Sequence, residues 1–97
     1  MLADFTAETF REGEILIVDL GEDNAYPLTL EKVALAKVKG RNGQRHPFAL
    51  VFSGSNDFFL QQGTRTVTHQ TAGTFPLFLV PVASYGDGKH YYEACFS

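Results

Sequence analysis

Glycine-rich turn clusters recur at short intervals along this chain, and they limit what it can fold into. They are Gly21-Glu22-Asp23-Asn24, Gly40-Arg41-Asn42-Gly43, Gly54-Ser55-Asn56-Asp57 and Gly86-Asp87-Gly88. Between them lie short β-branched and aromatic runs, the pattern of an all-β sandwich or barrel. The connections are too short for crossover helices, so neighbouring strands are expected to be antiparallel. The 97 residues make one domain, residues 1–97. With 44% hydrophobic and 20% charged residues, the chain has enough apolar material for a modest core.

The expected elements follow from period-two alternation. A short helical turn is expected over Phe5–Phe10, capped by Asp4 or Thr6. Glu14–Leu20 reads as a strand with Leu16, Val18 and Leu20 inward and Ile15, Ile17 and Asp19 outward. Leu28–Val38 contains good helix formers, but strand signals flank it on both sides. A bent strand is the preferred reading, with a bulge near Glu31-Lys32 to absorb the change of parity. Phe48–Phe52 is a clear strand, Phe58-Phe59-Leu60 a short apolar segment, and Arg65–Gln70 a polar strand suited to a sheet edge. Thr74–Ala83 and His90–Phe96 form a hairpin about Gly86-Asp87-Gly88. The expected fold is a small antiparallel sandwich or partly open barrel of six to seven strands.

One run does not alternate. In Phe75–Val82 (FPLFLVPV), Phe75, Leu77, Leu79 and Pro81 fall on one face and Pro76, Phe78, Val80 and Val82 on the other. Both faces are apolar. The prolines cannot donate to a ladder, so they belong at strand ends, bulges or unpaired positions. The first face is expected in the core. The second, Phe78, Val80 and Val82, joins Ile15 and Ile17 as surplus apolar surface. Either Phe5 and Phe10 cover it, or it meets another protein or a second copy.

The spacing Phe48-x-Leu50-Val51-Phe52-x-Gly54, Leu60-x-Gln62-Gly63-Thr64, Leu77-Phe78-Leu79-Val80-Pro81-Val82 and Tyr92-Glu93-Ala94-x-Phe96 resembles a family of short bacterial proteins of unknown function. The likeness runs from about residue 5 to the end. Members often carry a tyrosine where this chain has Arg65. The resemblance implies a small β-domain without assigned catalytic residues, and associates it with phage-tail-like assemblies.

The residues themselves favour no catalytic chemistry. His46, His69, His90 and Cys95 have no metal-ligand spacing, and each histidine is expected near a strand end in solvent. Cys95 follows Glu93 on one strand face, where a carboxylate opposes thiolate formation. Ser53, Ser55, Ser84 and Ser97 sit in no nucleophile elbow, and nothing selects Asp57, Asp87 and Glu93 as an acid/base set. Gly86-Asp87-Gly88-Lys89 lacks the spacing and context of a phosphate loop. No cofactor is implied.

Charge is distributed unevenly. Residues 1–31 hold eight Asp and Glu against Arg11 alone, a net of −7, whereas residues 32–97 carry +4. Lys37, Lys39, Arg41 and Arg45 surround the Gly40–Gly43 turn and would suit an acidic protein surface. A nucleic-acid partner is not expected, because the whole chain is at −3 and no aromatics interleave with this basic group. The single cysteine and the N-terminus, which has neither a basic nor an apolar signal region, lead to the expectation of a cytoplasmic protein. No apolar run reaches the ~20 residues that span a bilayer. The leading expectation is therefore a non-enzymatic interaction or assembly module. The alternative is a ligand- or carbohydrate-binding domain with an aromatic pocket from Tyr85, Tyr91 and Tyr92, joined by Phe48, Phe52 or Phe58.

Overall fold

Alternation in the sequence becomes inside and outside in the structure. The computed structural model describes residues 5–35, 47–82 and 86–96. They form β1 (Ile15–Gly21), β2 (Asn24–Leu35), β3 (Phe48–Ser55), β4 (Gly63–His69), β5 (Gly73–Val82) and β6 (Lys89–Phe96), preceded by a 3-10 turn at Ala7–Thr9. All pairings are antiparallel, and the strands close into a barrel in the order β1-β2-β3-β6-β5-β4. Of the two expected architectures the chain adopts the barrel, and it is closed. None of the described helical structure is long and apolar enough to cross a membrane.

Leu16 and Val18, Leu28 and Leu30, Leu50 and Phe52, Val67, Phe75, Leu77 and Leu79, and Tyr92 and Ala94 fill the interior. The register of β2 on β3 shifts between Leu30 and Lys32, where the bulge was expected. The bulge lets Leu30 and Val33 both turn toward the core, and the Glu12 carboxylate accepts the Val33 N–H at 3.3 Å. β2 begins four residues earlier than expected. Glu22 and Asp23 both take positive φ, 54° and 64°, and this tight turn returns the chain directly into Asn24.

Closure corrects the reading of β4 as an edge. β4 lies between β5 and β1, although its ladder to β1 is only Ile17–Thr68 and Val18–Val67. The prolines of β5 are placed as their chemistry requires. Pro81 is one residue from the strand end, and Pro76 lies where β5 pairs with β4 alone, since β6 pairs only with Val80–Val82.

Both barrel ends are plugged. At the lower end Thr6 caps the 3-10 turn, its hydroxyl accepting the Glu8 N–H while its own N–H donates to the Thr9 hydroxyl. Phe5 and Phe10 then pack against Phe75, with ring centroids 4.8 and 6.2 Å away. Phe10 also meets Phe48, Phe96 and His69. These two phenylalanines extend the inner face and do not cover Phe78. At the upper end residues 56–62 link β3 to β4 across the barrel and set Leu60 into its mouth.

Candidate functional site

The strap over the upper end organises the first candidate site. Leu60 points down and donates its N–H to the Tyr92 hydroxyl at 3.0 Å. Phe59 leans toward β6, against His90 and Tyr92. Phe58 leans toward β2, its ring 5.5 Å from that of Tyr26. Tyr26 donates its hydroxyl to the Ser55 carbonyl at 2.6 Å and lies 3.5 Å from the Tyr92 hydroxyl. Its ring crosses Gly54 so closely that an added Cβ would stand 2.3 Å from the Tyr26 oxygen. Burial pushes the Tyr26 phenol well above its usual range, and the neighbouring Tyr92 and Asp57 add to the effect. Through its bond to the Ser55 carbonyl Tyr26 fastens the start of the strap.

Beside this strap a groove of about 750 Å³ runs between the β1–β2 hairpin and Phe58. Asp19, Tyr26, Pro27, Asp57, Phe58 and Arg65 line it, among others. Arg65 shares the inward parity of Val67 and His69 and donates from Nη2 to the Gln61 carbonyl at 2.9 Å, while its buried Nε finds no acceptor among the described residues.

The aromatic pocket expected from the tyrosines does not assemble among the described residues. Tyr92 faces the barrel interior, whereas Tyr91 is its sequence neighbour on the outer face and donates its hydroxyl to Asp87. That bond holds the Asp87 carboxyl below its usual range. Phe48 and Phe52 are in the core, and Tyr85 lies outside the described residues.

The second candidate is the outer wall. Ile15, Ile17, Phe78 and Val82 are 45%, 39%, 50% and 36% exposed, and Val80 is half-buried. They form two groups rather than one sheet of apolar surface. Ile15 and Ile17 stand opposite Thr29 and Pro27. Phe78, Val80 and Val82 follow β5, with Thr64, Glu93 and Tyr91 as cross-strand neighbours. Lys37, Lys39, Arg41 and Arg45 lie outside the described residues, so their expected basic tip has no structural description.

A buried polar pair escaped the sequence reading. His69 was expected in solvent but is 1% exposed, with Nε2 2.7 Å from a Glu14 carboxylate oxygen. Its Nδ1 accepts the Ala72 N–H at 3.0 Å and the Thr71 N–H at 3.3 Å, so Nε2 carries the proton and donates it to Glu14. Glu14 also accepts from the Arg11 N–H and from Gln70. The bond from His69 chiefly holds the Glu14 carboxyl below its usual range. Both carboxylate oxygens of Glu14 and both ring nitrogens of His69 have structural partners, and the cluster ties the start of β1 to the end of β4. The only advance signal was parity, because His69 falls on the Val67 face.

Cys95 is exposed near Glu93, and partial desolvation of its sulfur, reinforced by that carboxylate, raises the thiol pKa. Among the described residues no three His, Cys, Asp or Glu side chains converge as metal ligands would.

Comparison with known proteins gives one relationship. No curated protein and no solved structure matches the chain. A family model described as Domain of unknown function (DUF6916) matches residues 5–96.

Proposed function

The chain belongs to this DUF6916 family, and from that premise we propose that it is a non-enzymatic protein-interaction or assembly module acting through its outer wall. The observation that carries this reading is the exposure of Ile15, Ile17, Phe78 and Val82 on a barrel whose interior is already filled. Large apolar side chains held outward by a rigid ladder lose water only when another surface covers them. Burying one such side chain in a contact contributes roughly 1.5–3 kcal/mol, before the cost of association. A multiprotein assembly, such as a phage-tail-like one, is the setting this chemistry suits.

The test is light scattering after size exclusion over a range of concentrations, with and without proteins co-purified from the host. Self-association or a defined complex is expected. Ile17→Asp or Phe78→Asp would disrupt it and leave the circular dichroism of the barrel unchanged. A strict monomer that recovers no partner would refute the reading.

A further inference from the structure

We propose that the groove at the top of the β1–β4 seam seats an extended, lysine- or arginine-bearing segment of a protein partner. This deepens the reading of the barrel as an interaction module, on which it rests, by stating the chemistry of one partner segment.

The seam itself supplies the seat. The β1–β4 ladder stops at Val18–Val67. Above it, Asp19–Gly21 pairs only with β2 and Gly63–Thr66 only with β5. Each strand therefore turns an unpaired edge toward the other at the upper end of the seam. Such edges take up an extended chain through backbone hydrogen bonds, with alternate side chains giving specificity. The adjoining groove, about 750 Å³, has room for a few side chains.

Charge decides which side chains. Asp19 and Asp57 both line the groove, and Arg65 is the one basic residue among its lining. One Asp19 oxygen holds the Gly21 N–H at 2.8 Å. Asp57 makes no hydrogen bond or ion pair among the described residues. Phe58, half exposed against Tyr26, adds an aromatic face to which a cation is attracted. An ammonium or guanidinium group would be held by these carboxylates and this ring, and an acidic side chain would be repelled.

Arg65 serves the backbone of the same segment. A guanidinium has five N–H donors. Only the bond to the Gln61 carbonyl is satisfied among the described residues, and the buried Nε is left without an acceptor. A peptide carbonyl entering the groove accepts from the remaining Nη donors of this guanidinium.

The experiment titrates the isotope-labelled protein with acetyl-Val-Lys-Val-Lys-Val-amide and, separately, with its glutamate counterpart. The lysine peptide is expected to shift the backbone amides of 19–21 and 63–66 and the Arg65 Nε–H signal. The glutamate peptide would bind weaker by roughly tenfold or more, since like charges are brought together. Asp57→Asn, whose folding is checked by the dispersion of the same spectrum, would weaken the lysine peptide by about threefold, the scale of one exposed ion pair. The proposal is overturned if the lysine peptide leaves these signals unmoved, if the glutamate peptide moves them equally, or if Asp57→Asn binds as the parent does. Oligomeric state of Ile17→Asp and Phe78→Asp is read separately, so failure at the groove is distinguishable from failure at the outer wall.

Discussion

Glu14 shows how a single side chain can hold distant parts of a β-barrel together. It accepts from His69, Gln70 and the Arg11 backbone, and so joins the start of β1 to the end of β4. Those bonds favour the carboxylate in the folded state and depress its pKa below the ordinary 4.5. A depressed carboxyl contributes stability that is fully present above its unfolded pKa and disappears as pH falls through the folded one. Glu14→Gln removes that contribution while retaining an oxygen that can accept from His69. In urea titrations the parent is therefore expected to exceed the variant at pH 7, and the gap should close as pH falls below 4.5 and through the depressed pKa of Glu14. A gap that stays constant with pH would show that ionisation of Glu14 is not coupled to folding. This pair was illegible in the sequence because its members stand 55 residues apart. A lone histidine in a polar strand carries no mark of its partner.

At the scale of elements, the strands and the β1–β2 and β5–β6 hairpins were legible, and the link from β3 to β4 was not. Leu16 and Val18, and Phe75, Leu77 and Leu79, fall inside as alternation requires, because a pleated strand has only two faces. The bulge after Leu30 was legible too, since parity changes within one apolar run. Phe58-Phe59-Leu60, by contrast, showed only that it is apolar. Its path follows from the strand order: β3 and β4 lie on opposite sides of the barrel, so the link between them must cross the mouth. Tyr26 and Arg65 gain their places from that crossing, which is why the groove could not be read beforehand. Leu60 is 1% exposed, whereas Phe58 and Phe59 are near half. Leu60→Ala is thus expected to cost about 2–5 kcal/mol, as lost burial plus an unfilled cavity. Phe59→Ala should cost clearly less despite its larger side chain. Urea midpoints of the two variants decide the order, and the reverse order would mean that Leu60 does not plug the barrel.

The whole molecule consists of two parts closed on each other. β1, β2, β3 and β6 form one continuously laddered sheet, with β3 and β6 paired from Phe48–Phe96 to Ser55–Lys89. β4 and β5 form a hairpin paired from Gly63–Leu79 to His69–Gly73. That hairpin joins the sheet through two ladder pairs on the β1 side and three on the β6 side. Its docking therefore relies on side chains: Val67, Phe75, Leu77 and Leu79 in the core, Phe5 and Phe10 against Phe75, and the Glu14–His69 bond. Cooperative units with short ladders to their neighbours open at lower free energy than the global transition. In native-state hydrogen exchange the amides shared by β3 and β6 are expected to exchange slowest, at the free energy of global unfolding. Those that bridge β1 to β4 and β5 to β6, around Val18, Val67 and Val80, should exchange earlier and together. Glu14→Gln at neutral pH should speed this group and shift β3–β6 exchange only by its effect on global stability. Equal protection across all six strands would mean that closure makes the barrel a single cooperative unit. The two-part reading predicts instead that the seam beside the groove opens first, where Asp19–Gly21 and Gly63–Thr66 already turn unpaired edges toward each other.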